Sequence, residues 1–309
     1  LVLAACSSKD SGGDSTPKSV TVKHIFGETT VPAPPKRVVS AGFTEQDDLL
    51  AVGVVPIAVT NWFGDQPFGV WPWAQPKLGS ARPVVLNLDN GIQIDRIATL
   101  KPDLIVAVNA GLDADAYKKL SAIAPTIAQS GGDAFFEPWK DQAGTIAQAV
   151  FHADQMKQLI SEVDDKFSTA GTNNSNFKDK KALLLSGSFF GDTLTATLPG
   201  WRTEFLSQMG FTIPDSITSF AADDHRAMIP RAQLASALDS ADVLIWSTES
   251  DAEQGALLAD PAVADLRASK QNRNVFTTKD LAGAIAFASP LSYPLVADQL
   301  PPLLSRALG

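Results

Sequence analysis

A single cysteine, Cys6, among 309 residues excludes an intrachain disulfide and a cysteine-based zinc cluster, so stability must come from packing. Histidine is nearly as scarce, limited to His24, His152 and His225. A site for a naked zinc or manganese ion gathers imidazoles with carboxylates. His24 falls in an N-terminal hairpin pattern and His152 beside a helical run, so no metal site is expected. Tyrosine occurs only at Tyr117 and Tyr293. No internal stretch approaches the roughly 20 apolar residues of a membrane-spanning helix. Charged residues are 19% of the chain, below the average of about 25%. Their balance is acidic, with 25 Lys and Arg against 34 Asp and Glu and a net charge of −9. Affinity for a phosphate backbone comes from Lys and Arg, so no nucleic-acid partner is expected. Catalytic signatures are also missing. Ser186-Gly187-Ser188 lacks the following glycine of a nucleophile elbow, and no strand leads into a glycine-rich loop ending in Lys-Ser or Lys-Thr. The chain is not expected to be an enzyme.

What is present is a globular composition, with 45% hydrophobic residues, and enough chain for two lobes at about 150 residues each. The opening run Leu3-Ala4-Ala5-Cys6, followed by a polar stretch to Lys18, reads as the end of an apolar signal segment, a small-residue cleavage site and a tether. It resembles the bacterial lipoprotein processing site, which implies lipidation of Cys6 and a body anchored to the membrane outside the cell. Alternation from Val20 to Val31 around Gly27 predicts a hairpin. Short apolar runs at 37–41, 56–59 and 103–108 alternate with helical patterns at 46–52 and 92–100. The same grammar returns at 181–186, 242–246 and 274–277. Strands alternating with helices predict mostly parallel sheets covered on both faces. Between the halves, Met156, Leu159, Ile160, Val163 and Phe167 follow helical spacing, with Asp154 as the expected N-cap and 171–176 as the stop. The expected organisation is α/β: a remnant and tether over 1–19, a lobe over 20–152, a bridging helix and linker over 153–177, and a second lobe over 178–309. The two lobes are expected to be Rossmann-like.

The order of segments resembles the class III substrate-binding proteins of ATP-driven importers, which carry ferric siderophores, haem or cobalamin. The resemblance rests on Pro35-Lys36-Arg37-Val38-Val39-Ser40, on Leu49 to Val59, and on Gly91 to Ile105 with its Leu-Lys-Pro-Asp-Leu-Ile phrase. Later matches are Ile123-Ala124-Pro125-Thr126, Gln233 to Trp246, and Leu258 to Pro261 leading to Asn274-Val275-Phe276. It implies two α/β lobes joined by one long helix, a ligand cleft between them, and an ABC-type permease as partner; the chain is expected to be a monomer. The expected cargo is a ferric siderophore. Haem transport is the alternative, and a non-transport scaffold or sensor lipoprotein of the same fold is a third reading.

Ligands of such sheets bind at the carboxyl ends of strands. The loop after Val59 carries Trp62, Phe63, Trp71 and Trp73, whose faces suit a large flat or catecholate-bearing ligand. The second half offers Phe190, Trp201 and Phe287. Ferric siderophores often present anionic oxygens that a guanidinium grips in bidentate fashion, which selects Arg82 and Arg226. His225, Tyr117 and Tyr293 are the candidate axial ligands for haem. The resemblance also implies docking on the permease through a carboxylate on each lobe. The first aligns with Asp95. The second falls on Ala232, with Asp239 as a neighbouring acid that could substitute.

Overall fold

The computed structural model describes residues 17–309, so Cys6 lies outside the described residues. The chain begins with the hairpin β1 (Val20–His24) and β2 (Gly27–Val31), paired antiparallel with Val20 opposite Val31. The first lobe is built on β3 (Val38–Ser40), β4 (Ala58–Thr60), β5 (Val84–Leu86), β6 (Leu104–Ala107) and β7 (Thr126–Ala128). These strands form one parallel sheet in the order β5-β4-β3-β6-β7. Every residue of β3, β4, β6 and β7 is buried, which explains why these strands do not alternate apolar with charged residues: helices cover both faces. The helices are α1 (Glu45–Ala51), α2 (Ile94–Thr99), α3 (Ala114–Ser121) and α4 (Trp139–Ala149).

The second lobe carries β8 (Ala182–Ser186), β9 (Thr193–Thr197), β10 (Arg226–Pro230), β11 (Val243–Ser247) and β12 (Asn274–Phe276) in the order β10-β9-β8-β11-β12. Here β8, β11 and β12 are parallel, while β9 and β10 add an antiparallel edge. In β9 the alternation is complete: Leu194 and Ala196 are buried, and the threonines at 193, 195 and 197 face the other way.

Helix α5 (Ala153–Asn173) connects the two sheets, and its 21 residues reach about 31 Å at 1.5 Å each. Its N-cap is His152 rather than the expected Asp154. Asp154 sits in the first turn, where a negative charge meets the positive end of the helix dipole. Met156, Val163 and Phe167 are buried on α5. They join one apolar cluster that takes in Val38 and Val106 of the first sheet, Leu184 and Ile245 of the second, and Val296 and Leu300 of the C-terminal helix Ser292–Leu308. The lobes therefore share a core along their backs, and relative motion between them has to shear packed side chains.

Candidate functional site

In each sheet the chain leaves the first strand to one side and later returns on the other, which opens a crevice at the carboxyl ends of the two central strands. In the first lobe these are β3 and β6, followed by Phe43 and Asn109. In the second they are β8 and β11, whose last residues Ser186 and Ser247 lie opposite one another. The two crevices face each other across a cavity of about 600 Å³, within the usual range for small-molecule sites. Phe43, Phe135 and Phe136 line it from the first lobe, and Ser186, Thr195, Thr197, Arg202, His225, Arg226 and Ser247 from the second. Its floor is the helix Lys279–Phe287, through Ala282, Ile285 and Ala286, spaced to share one helix face.

The phenyl wall is a stack. Phe43 lies 5.7 Å from Phe135 and 6.2 Å from Phe136, with interplanar angles of 22° and 14°. Behind it, Trp62 touches Phe136 at 4.9 Å and Phe43 at 5.8 Å. The buried Glu45 carboxyl pins the loop bearing Phe43 and the loop that follows β6. The Gly42 amide donates to Oε2 and the Asn109 amide to Oε1, each at 2.5 Å. Burial pushes the Glu45 carboxyl up to about 8, against the lowering effect of these amides. Asp47 and Asp48 are buried beside it, and burial raises both, Asp47 to about 6.

Opposite the phenyl wall, the Arg202 guanidinium is sandwiched 4.9 Å from the Phe136 ring and 4.5 Å from the Trp201 ring. Burial lowers its pKa from the ordinary guanidinium value. Among the described residues no carboxylate lies within ion-pair distance of it: the ion pairs of this face belong to others. Arg226 is exposed and donates to Asp223 at 2.9 and 3.0 Å. Asp223 is held down to about 2, first by the His225 backbone amide and then by Arg226. Among the described residues the cavity thus holds one guanidinium without a carboxylate partner, Arg202, and one already paired, Arg226.

Of the residues selected from sequence, only His225 and Arg226 line the cavity. Trp62 backs the phenyl wall, and Phe63 packs edge-on against Trp62 at 4.7 Å and lies 5.1 Å from Trp71. Trp71 is a core residue at 1% exposure, stacked on Trp73 at 5.1 Å. Trp73 is fixed by donating its Nε1–H to Asp47 at 2.7 Å. Phe287 is also buried, because it occupies the helix face opposite the cavity floor and meets Trp73 at 5.4 Å and Trp62 at 5.6 Å. Arg82 is exposed and reaches over Phe68 at 5.6 Å, away from the cavity. Phe190 stands at the tip of the β8–β9 connection, 82% exposed. Trp201 is partly buried, lies under the Arg202 guanidinium and shares the lining of a small gap with Trp139, Phe167 and Tyr293. Tyr293 is buried there at 5.2 Å from Trp139 and is corrected from candidate axial ligand to core residue. Tyr117 is likewise corrected from candidate axial ligand, being a partly buried residue outside the cavity lining. Its hydroxyl lies 3.1 Å from Thr29 and 3.3 Å from His24, against the N-terminal hairpin. Asp95 is exposed in the first turn of α2, and Ala232 is exposed. The neighbouring Asp239 is occupied as acceptor for the Arg267 amide at 2.9 Å.

Phe43, Phe135, Phe136 and Arg202 line the cavity and are not among the residues selected from sequence. Arg202 directly follows Trp201, which is among them. The two Phe of 135–136 follow the glycines of 131–132, a loop signal after an apolar strand.

A family model described as periplasmic binding protein matches residues 38–281. The probable siderophore-binding lipoprotein YfiY of Bacillus subtilis (strain 168) is 32% identical over 221 residues, 70% of this chain and 65% of that protein. The chain therefore spans a little under two thirds of that relative. The crystal structure of a periplasmic solute binding protein from Mycobacterium smegmatis is 65% identical, with a TM-score of 0.90 over 94% of this chain and 99% of that one. PiaA of Streptococcus pneumoniae TIGR4 in complex with ferrichrome shares the fold at a TM-score of 0.74 and 24% identity, over 94% and 98% of the two chains.

Proposed function

The chain belongs to the periplasmic binding protein family, and from that premise we propose that it is an extracytoplasmic receptor that captures a ferric siderophore between its lobes and delivers it to an ABC-type importer. The observation that carries this reading is the inter-lobe cavity of about 600 Å³, with stacked phenyl rings on one side and an unpaired guanidinium on the other. Rings supply contact area at low entropic cost, and a desolvated guanidinium is completed by the anionic oxygens of a chelate. The siderophore-binding relative supports the same cargo. In this reading the protein binds and releases without catalysing a reaction, and a lipid on Cys6 holds the body at the membrane; two acyl chains suffice for a stable anchor.

Titration of the purified protein with ferrichrome, ferrioxamine B and ferric citrate should quench tryptophan emission saturably at micromolar concentrations or below. Trp62 supports the signal, since it lies 4.9 Å from a cavity-lining ring. Absence of saturable quenching with every ferric chelate would sink the reading. A second reading, haem transport, is favoured by His225 in the cavity wall. A Soret shift on adding haem, abolished in His225→Ala, would replace the siderophore with haem.

For delivery, we assign permease docking in the first lobe to Asp95, exposed at the start of α2. Asp95→Arg should reduce cargo uptake by cells about tenfold, the effect of losing roughly 1.4 kcal/mol of docking energy, while leaving the affinity for the chelate unchanged. Full uptake by the variant would reject Asp95 as a contact.

A further inference from the structure

The phenyl wall is not self-supporting. Phe43 and Phe136 come from loops that follow different strands, and Phe136 has φ +55°, a left-handed conformation that a bulky side chain rarely adopts without being held. Both loops are held by one fully buried residue, Asn109, at 0% exposure. Its side-chain Oδ1 accepts the Phe136 amide at 2.8 Å, and its backbone carbonyl accepts the Phe43 amide at 3.1 Å. Its own amide donates to Glu45 Oε1, and its Nδ2 donates to Thr44 Oγ1 at 3.0 Å. Every polar group of Asn109 is thereby used, with two bonds directed to the ring-bearing loops and two to the start of α1. The Gly111 amide adds a parallel tie to the Ala134 carbonyl at 3.0 Å.

We propose that Asn109 is a positioning residue for the cleft: without touching ligand, it sets the separation and tilt of Phe43 and Phe136 and, through Phe136, the seat of the Arg202 guanidinium. The inference rests on reading the cavity as the ligand site. The physical reason is the geometry of the amide. A side chain with an acceptor for the Phe136 N–H and a second polar end for Thr44 is needed at a site closed to water, since an unmet amide there would release the left-handed turn. Asn meets both needs without charge. Asp meets them as well, because the Thr44 hydroxyl can turn to donate to it while still accepting from Gln142 Nε2 at 2.9 Å. However, an aspartate would place another carboxyl beside Glu45 and Glu137, which already crowd this region. Leu has similar bulk and meets neither need.

The two substitutions therefore separate positioning from stability. Asn109→Asp should melt at a lower temperature yet keep affinity for the ferric chelate within about threefold and keep the near-ultraviolet circular dichroism of the ring cluster. Asn109→Leu should lose at least tenfold in affinity and lose part of that dichroism in the ligand-free protein. Both are measured at a temperature where the variants are fully folded by far-ultraviolet dichroism. The probes are ferrichrome, ferrioxamine B and ferric citrate. Affinity that follows melting temperature across the two variants, or an unaltered ring signal in Asn109→Leu, would overturn the proposal. If the unsubstituted protein binds none of the three chelates, the siderophore reading fails. The ligand-free ring signal then decides the positioning role by itself: its loss in Asn109→Leu with retention in Asn109→Asp supports it, and any other pattern rejects it.

Discussion

Replacing Trp71 by alanine is expected to lower the unfolding free energy by about 3–5 kcal/mol, the usual cost of removing a fully buried large aromatic. The upper end of that range applies, because the surroundings cannot close over the void. Trp71 is held between two glycines. A Cβ at Gly283 would come within 2.5 Å of the indole, and one at Gly64, whose φ is +89°, would overlap it as well. Both backbones approach the ring so closely that neither has a side chain to swing into the space. Gly283 belongs to the helix that forms the cavity floor, and Phe287 of that helix packs at 6.1 Å from Trp71. Loss of the indole therefore removes the backing of Ala282, Ile285 and Ala286, and affinity for the ferric chelate should fall together with stability. Urea unfolding should show a lower midpoint with an unchanged slope. A shift corresponding to less than about 1 kcal/mol would mean that the helix settles onto the first lobe without the indole, contrary to the close glycine contacts.

The role of Trp71 illustrates what could be read from the sequence and what could not. Periodicity located the strands around Val39, Ile105, Leu184 and Ile245 and the helix carrying Met156, Val163 and Phe167, because each buries a face whose spacing is written in local order. The edge formed by β9 and β10 escaped notice, since Thr193–Thr197 alternates polar with apolar over only five residues. The C-terminal helix was hidden by Pro301 and Pro302 within it. The cleft depends on a property that local order does not carry, namely which strands lie at the centre of each sheet. The loop after Val59 is rich in rings, but β4 lies beside the switch point and not at it, so those rings pack inward on the floor helix and on one another. Phe43 and Phe136 became the wall because their loops follow the central strand β3 and the edge strand β7 and are gathered by Asn109, which follows β6. Choosing among arginines failed for a related reason. Asp223 is close to Arg226 in sequence and neutralises it, whereas the lack of a carboxylate partner for Arg202 among the described residues is visible only in three dimensions.

Arg202 gives the second large expectation. Arg202→Ala should weaken binding of an anionic ferric chelate roughly 10- to 100-fold, since hydrogen bonds to charged groups contribute about 1.5–3 kcal/mol and each 1.4 kcal/mol is a factor of ten. Arg202→Lys should recover only part of this loss, because an ammonium keeps the charge but not the planar fork or the stacking on Phe136 and Trp201. The ligand-free protein should respond in the opposite sense. A guanidinium partly withdrawn from water, with no carboxylate of the described residues beside it, adds little to the stability of the fold, and burial lowers its pKa accordingly. Removing it should leave the melting temperature unchanged or raise it, apart from the packing lost with its stem. Weaker binding by a protein of undiminished stability is what distinguishes a group held in readiness for ligand charge from one that holds the structure together. Undiminished affinity in Arg202→Ala, or a fold that melts well below the parent, would show that the guanidinium serves the architecture and that charge recognition lies elsewhere in the cleft. The outcome also bears on cargo chemistry: if the unpaired cation is the selective element, the unsubstituted protein should prefer ferric citrate, which is anionic, over the cationic ferrioxamine B, and that preference should shrink when Arg202 is removed.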